Sequence, residues 1–222
     1  MKRKEFIKLA STGAFGISSL GYLSCESQKE IFFKLSLAQW SLNKAIRGGE
    51  MSPYLFAEKS KDLGFTGLEY VNQLYDDVMK SEDKSSSIKN FILKNNQLAS
   101  DNGMDNVLIM IDEEGDLAGE DKEQRLISID NHKLWIDTAA EMNCSSVRLN
   151  LYGSKDIETW KALSIESLTK LGEHAKGTGL NVIVENHGRI TSNIPCISKA
   201  FNNLQHLHVI NSFFITIFIK VI

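Results

Sequence analysis

Between Lys34 and Leu207 a short apolar run of β-type residues is followed, five times over, by a longer stretch with helical periodicity. The unit recurs at intervals of about 30 to 40 residues, the spacing of strand–helix crossovers. A strand returned to its sheet through a helix runs parallel to the strand before it, so the repeat predicts a parallel α/β fold. The expected strands are Lys34–Trp40, Thr66–Val71, Asn106–Ile111, Ser146–Leu151 and Asn181–Glu185. Helices are expected over Ser52–Leu63, Ser87–Ser100, Glu123–Met142 and Ile157–Lys176, with a weaker one over Ile194–Leu207. The first of these has Ser52 as N-cap, Pro53 at the first helical position and Gly64 just past its end, the punctuation of a helix. Phe56, Ser60 and Leu63 fall on one of its faces, and Trp160, Leu163, Leu168, Leu171 and Ala175 form a stripe on the helix after the fourth strand.

In parallel α/β folds ligands bind beyond the carboxyl ends of the strands. Here those ends carry Gln39-Trp40-Ser41, Glu69-Tyr70, Asp112, Arg148 with Asn150, and Glu185-Asn186-His187. No turn carries G-x-G-x-x-G or the phosphate loop G-x-x-x-x-G-K-[ST], so a dinucleotide or triphosphate site has no support. Reactive groups spread over several strand ends suit a (β/α) barrel, which gathers its site from many strands. A flavodoxin-like five-stranded domain is the competing fold, weakened by the missing phosphate loop after the first strand. The most telling segment is Val182-Ile183-Val184-Glu185-Asn186-His187-Gly188-Arg189, an apolar run that stops abruptly at a carboxylate, an amide and an imidazole. The acidic run of Asp112, Glu113, Glu114, Asp116, Glu120 and Asp121 is expected to be a solvated loop. His132 lies within a helix and is expected to pack or cap, while His206 and His208 have i, i+2 spacing, unlike a helical i, i+4 metal pair.

The formal net charge of −3 and a pI near 6.0 give no general attraction to nucleic acid or an anionic membrane. Three cysteines, Cys25, Cys144 and Cys196, are too few and scattered for a disulfide framework, and Cys144 and Cys196 are expected to be buried small hydrophobes. Residues 1–25 read as an export signal. Lys2, Arg3 and Lys4 form a basic start, and Leu9 to Leu23 is uncharged, apolar and rich in small residues. The segment Arg3-Lys4-Glu5-Phe6-Ile7-Lys8 resembles a twin-arginine signal with its second Arg replaced by Lys. Leu23-Ser24-Cys25 resembles a lipoprotein cleavage site in which Cys25 would carry the lipid, with Tyr22 as a departure from that pattern. The competing reading is a frayed amphipathic helix. The apolar stretch is shorter than the roughly 20 residues of a spanning helix. The expectation is an exported protein, periplasmic or held at the membrane by a lipid anchor, with residues 26–31 as a polar tether.

With these residues placed, the chain resembles the xylose isomerase-like barrel superfamily, the sugar phosphate isomerase/epimerase group also called AP endonuclease family 2. The resemblance runs over residues 35–204. Its carriers are Leu37-Ala38-Gln39-Trp40-Ser41-Leu42, Leu63-Gly64-Phe65-Thr66-Gly67-Leu68-Glu69-Tyr70, Asn131-His132-Lys133-Leu134-Trp135-Ile136-Asp137, Cys144-Ser145-Ser146-Val147-Arg148-Leu149-Asn150 and Val182 to Gly188. It implies a partial (β/α)8 TIM barrel of five to six strands over residues 32–208. It also implies one divalent metal (Mn, Mg, Co or Zn) held by carboxylate and imidazole ligands from strands five to eight, with Glu185 as the first ligand. The family's later Asp, His and Glu have no counterpart after Glu185, apart from His206 and His208 in an unmatched context, so the metal site is expected to be incomplete. Beyond Asn203 the pattern dissolves into the run Val209 to Ile222, which has no acid, glycine or turn chemistry. One reading is a sixth buried strand, allowed by its β-branched content. The other, favoured here, is a truncated or frame-shifted gene whose tail, residues 209–222, is foreign to the family and an aggregation hazard.

The resemblance implies metal-assisted proton transfer next to the carbonyl of a sugar or sugar phosphate. In that chemistry the metal polarises the carbonyl and hydroxyl oxygens and a carboxylate moves the proton. Glu185 is the expected catalytic residue as well as the first ligand. His187 is expected to touch substrate or orient Glu185, Arg148 and Asn150 to hold sugar hydroxyls or a phosphate, Glu69 to bind substrate, and Trp40 to stack on a sugar face. Each has a structural competitor: a hydrogen-bonded loop His187, an Arg148 paired with a neighbouring acid, a salt-bridged Glu69, a packed Trp40. Turnover is expected to be impaired where the later ligands are missing. A non-catalytic exported carbohydrate-binding module is the alternative, and an AP-endonuclease-like hydrolase is disfavoured by the acidic charge and the export signal.

Overall fold

The computed structural model describes residues 34–192 and 209–212. The expectations placed on the export signal, Cys25, the tether, the helix over 194–207, Cys196, His206, His208 and residues 213–222 lie outside these residues. Six strands form one parallel sheet in sequential order: β1 (Ser36–Ala38), β2 (Gly67–Val71), β3 (Asp105–Ile111), β4 (Ser146–Leu149), β5 (Asn181–Glu185) and β6 (Val209–Ser212). Between β1 and β5 the crossovers contain α1 (Asn43–Arg47), α2 (Phe56–Asp62), α3 (Asp76–Met79), α4 (Lys84–Asn102), α5 (Lys122–Glu141) and α6 (Ile157–Lys176). Consecutive strands lying side by side, those from β2 to β5 each after a helical crossover, make the wall of a (β/α) barrel. β6 pairs with β5 from Val182↔Val209 to Glu185↔Ser212. These four residues take the strand conformation that their β-branched content allows. The β-branched Val209 and Ile210 extend a sheet whose neighbouring strand is Val182-Ile183-Val184.

The long helices form where the sequence signals them, because their caps and their apolar stripes agree. The carboxylates of Asp83, Asp121 and Asp156 accept backbone N–H bonds at the starts of α4, α5 and α6, and Gly103 ends α4 in a left-handed conformation at φ 66°. On α6, Trp160, Leu168, Leu171 and Ala175 are buried against the sheet. Residues Leu108 to Ile111 of β3 and Val182 to Val184 of β5 are buried without alternation, as in strands covered on both faces. The first expected helix is shorter than its pattern. Ser52 Oγ accepts from the Tyr54 N–H at 3.3 Å, Pro53–Leu55 forms a 3-10 turn, and α2 ends at Asp62. Phe56 and Ser60 are buried, but Leu63, placed on the same face by periodicity, lies past the last helical turn and is 45% exposed. α1 and α3, with five and four residues, are too short to show a period in sequence.

Gly67 has a packing reason. The ladder between β2 and β3 skips Val107, passing from Leu68↔Asn106 to Glu69↔Leu108, a bulge that leaves one residue unpaired. A Cβ at position 67 would stand 2.7 Å from Val107 Cγ2 and 3.0 Å from Ser36 Cβ. The bulge thus carries Val107 into space that only glycine leaves open.

Candidate functional site

Strand alternation decides which side chains meet at the carboxyl ends. Arg148 pairs in register with Met110 on one side and Ile183 on the other. Asp112, Asn150 and Glu185 each stand two residues beyond one of these three positions, so these three side chains and that of Arg148 share a face. Asp112 Oδ2 lies 3.2 Å from Arg148 Nη2, and Asp112 Oδ1 accepts from Asn150 Nδ2 at 2.7 Å. Arg148 Nη1 pairs with Glu185 Oε2, and His187 Nδ1 lies 3.3 Å from that same oxygen. The Arg148, Asp112 and Glu185 side chains are 16%, 15% and 23% exposed, while His187 is 55% exposed. The charges are therefore largely withdrawn from water and their interaction is strong, whereas the imidazole faces solvent. Burial pulls the Arg148 guanidinium below its ordinary pKa, opposed by the negative charges of Asp112 and Glu69.

Asp112 is held by a side chain from the neighbouring strand. Asn72, fully buried just past β2, accepts from the Asp112 N–H at 2.8 Å and donates to the Asp112 carbonyl at 3.0 Å. An amide side chain thus continues the β2–β3 ladder one step beyond the strands. Two residues on, Glu114 is buried, accepts from Trp135 Nε1 and lies 3.5 Å from Asn72 Nδ2. Burial raises the Glu114 carboxyl above the usual carboxylate range, with the Trp135 bond opposing. The loop also buries Leu117 and Ala118, and it bonds to the β4–α6 loop through Ala118 N–H to Tyr152 O at 2.8 Å and Ser154 N–H to Ala118 O at 2.9 Å. The solvated-loop expectation is corrected for two of the six acids, Asp112 and Glu114. Glu113, Asp116, Glu120 and Asp121 are exposed as expected. A charge count cannot register Asn72 and Trp135, donors that arrive from elsewhere in the chain.

Of the residues singled out in the sequence, the structure brings Arg148, Asn150, Glu185 and His187 together. Glu69 accepts from Ser36 Oγ and acts on Arg148 through its charge. Trp40 sits in the 3-10 turn after β1 with the Arg47 guanidinium 4.9 Å above its ring, and makes none of the described contacts to this cluster. Arg148 takes the acid-paired option, and not only with one neighbour. His132 packs as expected: it is buried, its Nδ1 lies 2.7 Å from the Ser128 carbonyl, and burial pulls its pKa down to about 4. Cys144 is buried and its thiol is pushed up to about 12, which leaves it unreactive. The sequence places Asp112 at a strand end but gives it no role beyond a solvated acidic run, and it does not single out Tyr152. The signal for Asp112 was the one that picked Glu185, a carboxylate directly after an apolar strand. The Tyr152 ring meets His187 edge-on at 6.1 Å.

Beside the cluster lies a cavity of about 510 Å³ lined by Leu151, Tyr152, Ile157, Trp160, His187 and Ile190, among others. His187 belongs to both the cavity and the charge cluster. Among the described residues no three His, Cys, Asp or Glu side chains gather to hold a metal ion. The carboxylate that resemblance makes the first ligand carries a guanidinium and an imidazole instead. These residues do not by themselves form a ligand set for a divalent metal.

The family model of the xylose isomerase-like TIM barrel matches residues 57–210. No curated protein matches the sequence. Among solved structures, the chain is similar to the apo form of 3-keto-D-glucoside 4-epimerase, YcjR, from E. coli, with a TM-score of 0.56 and 15% identity over 70% of this chain and 60% of that one. It is similar to D-psicose 3-epimerase with D-tagatose from Clostridium cellulolyticum H10, with a TM-score of 0.59 and 16% identity over 81% and 62%. It is also similar to a xylose isomerase-like TIM barrel protein from Mycobacterium smegmatis in complex with magnesium, with a TM-score of 0.53 and 16% identity over 71% and 54%. The chain thus spans between 54% and 62% of the length of these three proteins. Six parallel strands in sequential order, with the reactive groups at their carboxyl ends, are part of the barrel these proteins share. This chain belongs to the xylose isomerase-like TIM barrel family.

Proposed function

We propose that the protein is a sugar isomerase- or epimerase-like barrel in which Glu185 moves a proton next to a sugar carbonyl. The observation that carries this reading is the place of Glu185, on rigid backbone at the end of β5, with its carboxylate against Arg148 and His187 and beside an accessible cavity. A carboxylate so placed can take a proton from a carbon acid and return it. Arg148, itself fixed by Asp112, keeps Glu185 in one orientation, and exposed His187 can reach a substrate hydroxyl. The two epimerases of similar fold act on, or were solved with, sugars, which supports a small sugar as partner. The magnesium-bound relative supports a divalent metal for the family in general. Export and lipid attachment at Cys25 belong to the same proposal and rest on the N-terminal sequence.

Proton transfer is tested by incubating the protein with ketoses and aldoses in D₂O, with Mg²⁺ or Mn²⁺, and following deuterium at the carbon beside the carbonyl by NMR. Incorporation by the wild type, reduced about 100-fold or more in Glu185→Gln, is the expected result. Sugars that bind in calorimetry without any exchange would replace this reading with that of a carbohydrate-binding module.

A further inference from the structure

Of the six acids that follow β3, five have a partner. Asp112 holds Arg148 and Asn150, Glu113 lies 4.0 Å from Arg47, and Glu114 accepts from Trp135. Glu120 accepts from Ser154 Oγ at 2.6 Å, and Asp121 caps α5. Asp116 is the exception: it is exposed, and its carboxylate enters no hydrogen bond or ion pair among the described residues. It lines a second cavity, of about 430 Å³, together with Tyr152, Gly153 and His187, a volume suited to a small molecule.

The backbone beside Asp116 is fixed by three neighbouring elements. The Leu117 carbonyl accepts from Ser167 Oγ of α6 at 2.6 Å, and the Gly119 carbonyl accepts from Arg125 Nη1 of α5 at 2.7 Å. Ala118, between them, pairs with Gly153 of the β4–α6 loop, and a Cβ at Gly153 would stand 2.0 Å from the Ala118 carbonyl carbon. The two loops therefore meet at a distance that only glycine permits, and Asp116 is carried on a segment with little freedom to leave the cavity wall. His187 joins this cavity to the charge cluster, since it lies 3.3 Å from Glu185 Oε2 and lines the cavity with Asp116. A sugar with its carbonyl end at Glu185 can run past His187 into the cavity, where its far end meets an unpaired carboxylate. Such a group has only acceptors to offer, and a hydroxyl is the donor a sugar supplies.

We propose that Asp116 determines specificity: its carboxylate accepts a hydrogen bond from the sugar hydroxyl farthest from the carbonyl. The assignment rests on the reading just given, because the place of Glu185 decides which end of the sugar reaches Asp116.

The test is titration calorimetry on the full chain with glucose, galactose and mannose, each paired with its 6-deoxy counterpart, which lacks that hydroxyl alone. In at least one pair the complete sugar is expected to bind about tenfold tighter, the effect of one hydrogen bond to a charged acceptor. Asp116→Ala is expected to abolish the preference by weakening the complete sugar. Asp116→Asn, which keeps a neutral acceptor, is expected to leave a preference of about threefold. Both variants are expected to unfold at the wild-type urea midpoint, since the replaced carboxylate is exposed. Asp116→Ala weakening both members of a pair equally, or keeping the preference, overturns the inference, because a direct contact must couple the residue to that hydroxyl. A wild type that binds both members alike overturns it as well. The expected preference in a protein that exchanges no deuterium would overturn the proton-transfer reading and leave Asp116 its role. Failure of every sugar to bind overturns both.

Discussion

Two clusters of polar side chains sit at the carboxyl ends of the same parallel sheet, and they are built on opposite principles. At the ends of β1 and β2, Gln39 is fully buried. Its Oε1 accepts the Val71 N–H at 3.0 Å, and its Nε2 donates to the Pro53 carbonyl at 3.1 Å and to Tyr75 Oη at 2.9 Å. Neutral groups there satisfy neutral groups, and no net charge is held out of water. At the ends of β3 to β5, Asp112, Arg148 and Glu185 are charged and partly exposed, and a cavity lies beside them at His187. One arrangement stiffens the wall, and the other keeps charge where it can act on a ligand. Polar residues at strand ends are therefore not equivalent: one set is neutral and sealed, the other charged and within reach of solvent.

The contrast can be broken most severely at its charged side. Replacing Arg148 with Met leaves Asp112 and Glu185 close together without their cation. Urea denaturation is expected to show a loss of about 3 to 5 kcal/mol; a loss under 1 kcal/mol would mean that the carboxylates are solvated and that the cluster is not the strained part of the sheet. Next in size is acid sensitivity beside the same cluster. Folding holds the His132 pKa at about 4, below its ordinary value of 6.5, so the unfolded chain takes up the proton first as pH falls. Its contribution is present above pH 6.5 and is lost on descending toward pH 4, at about 1.4 kcal/mol per pH unit within that window. His132→Gln should flatten this part of the stability–pH curve. On the neutral side, Gln39→Ala leaves the Val71 N–H and the Pro53 carbonyl without their side-chain partner, at about 2 kcal/mol, with no dependence on pH between 5 and 8. The smallest effect belongs to Arg47→Ala, which removes a cation from the exposed side of Trp40 and should cost about 0.5 to 1 kcal/mol.

How much of this was legible in the chain follows from the range of each interaction. Strands β2, β3 and β5 and helices α4, α5 and α6 were visible because periodicity, caps and breakers are written within a dozen residues of one another. Glu185 was visible for the same reason, as a carboxylate closing an apolar run. Its neighbours were less so. That Arg148 is divided between two acids depends on β3 and β5 flanking β4, a fact of topology that no local pattern contains. Asp112 and Glu114 were hidden inside an acidic run whose exposed members match the solvated-loop reading, since only Asn72 and Trp135 distinguish the buried from the exposed. The first four residues of the apolar tail show the same limit from the other direction: their β-branched content allows a strand, and only the pairing with β5 gives that strand its place in the sheet.

The bulge opposite Gly67 makes two distant positions answerable to each other in any mutational history of this barrel. A side chain at 67 would press on Val107 Cγ2 at 2.7 Å and on Ser36 Cβ at 3.0 Å, so it becomes tolerable only after Val107 has been shortened. The order of change is therefore constrained: a side chain added at 67 while Val107 is intact is costly, so a lineage leaves this combination by changing 107 first. The register that carries Glu69 toward Arg148 is thereby guarded by an order of change in sequence space as well as by its hydrogen bonds.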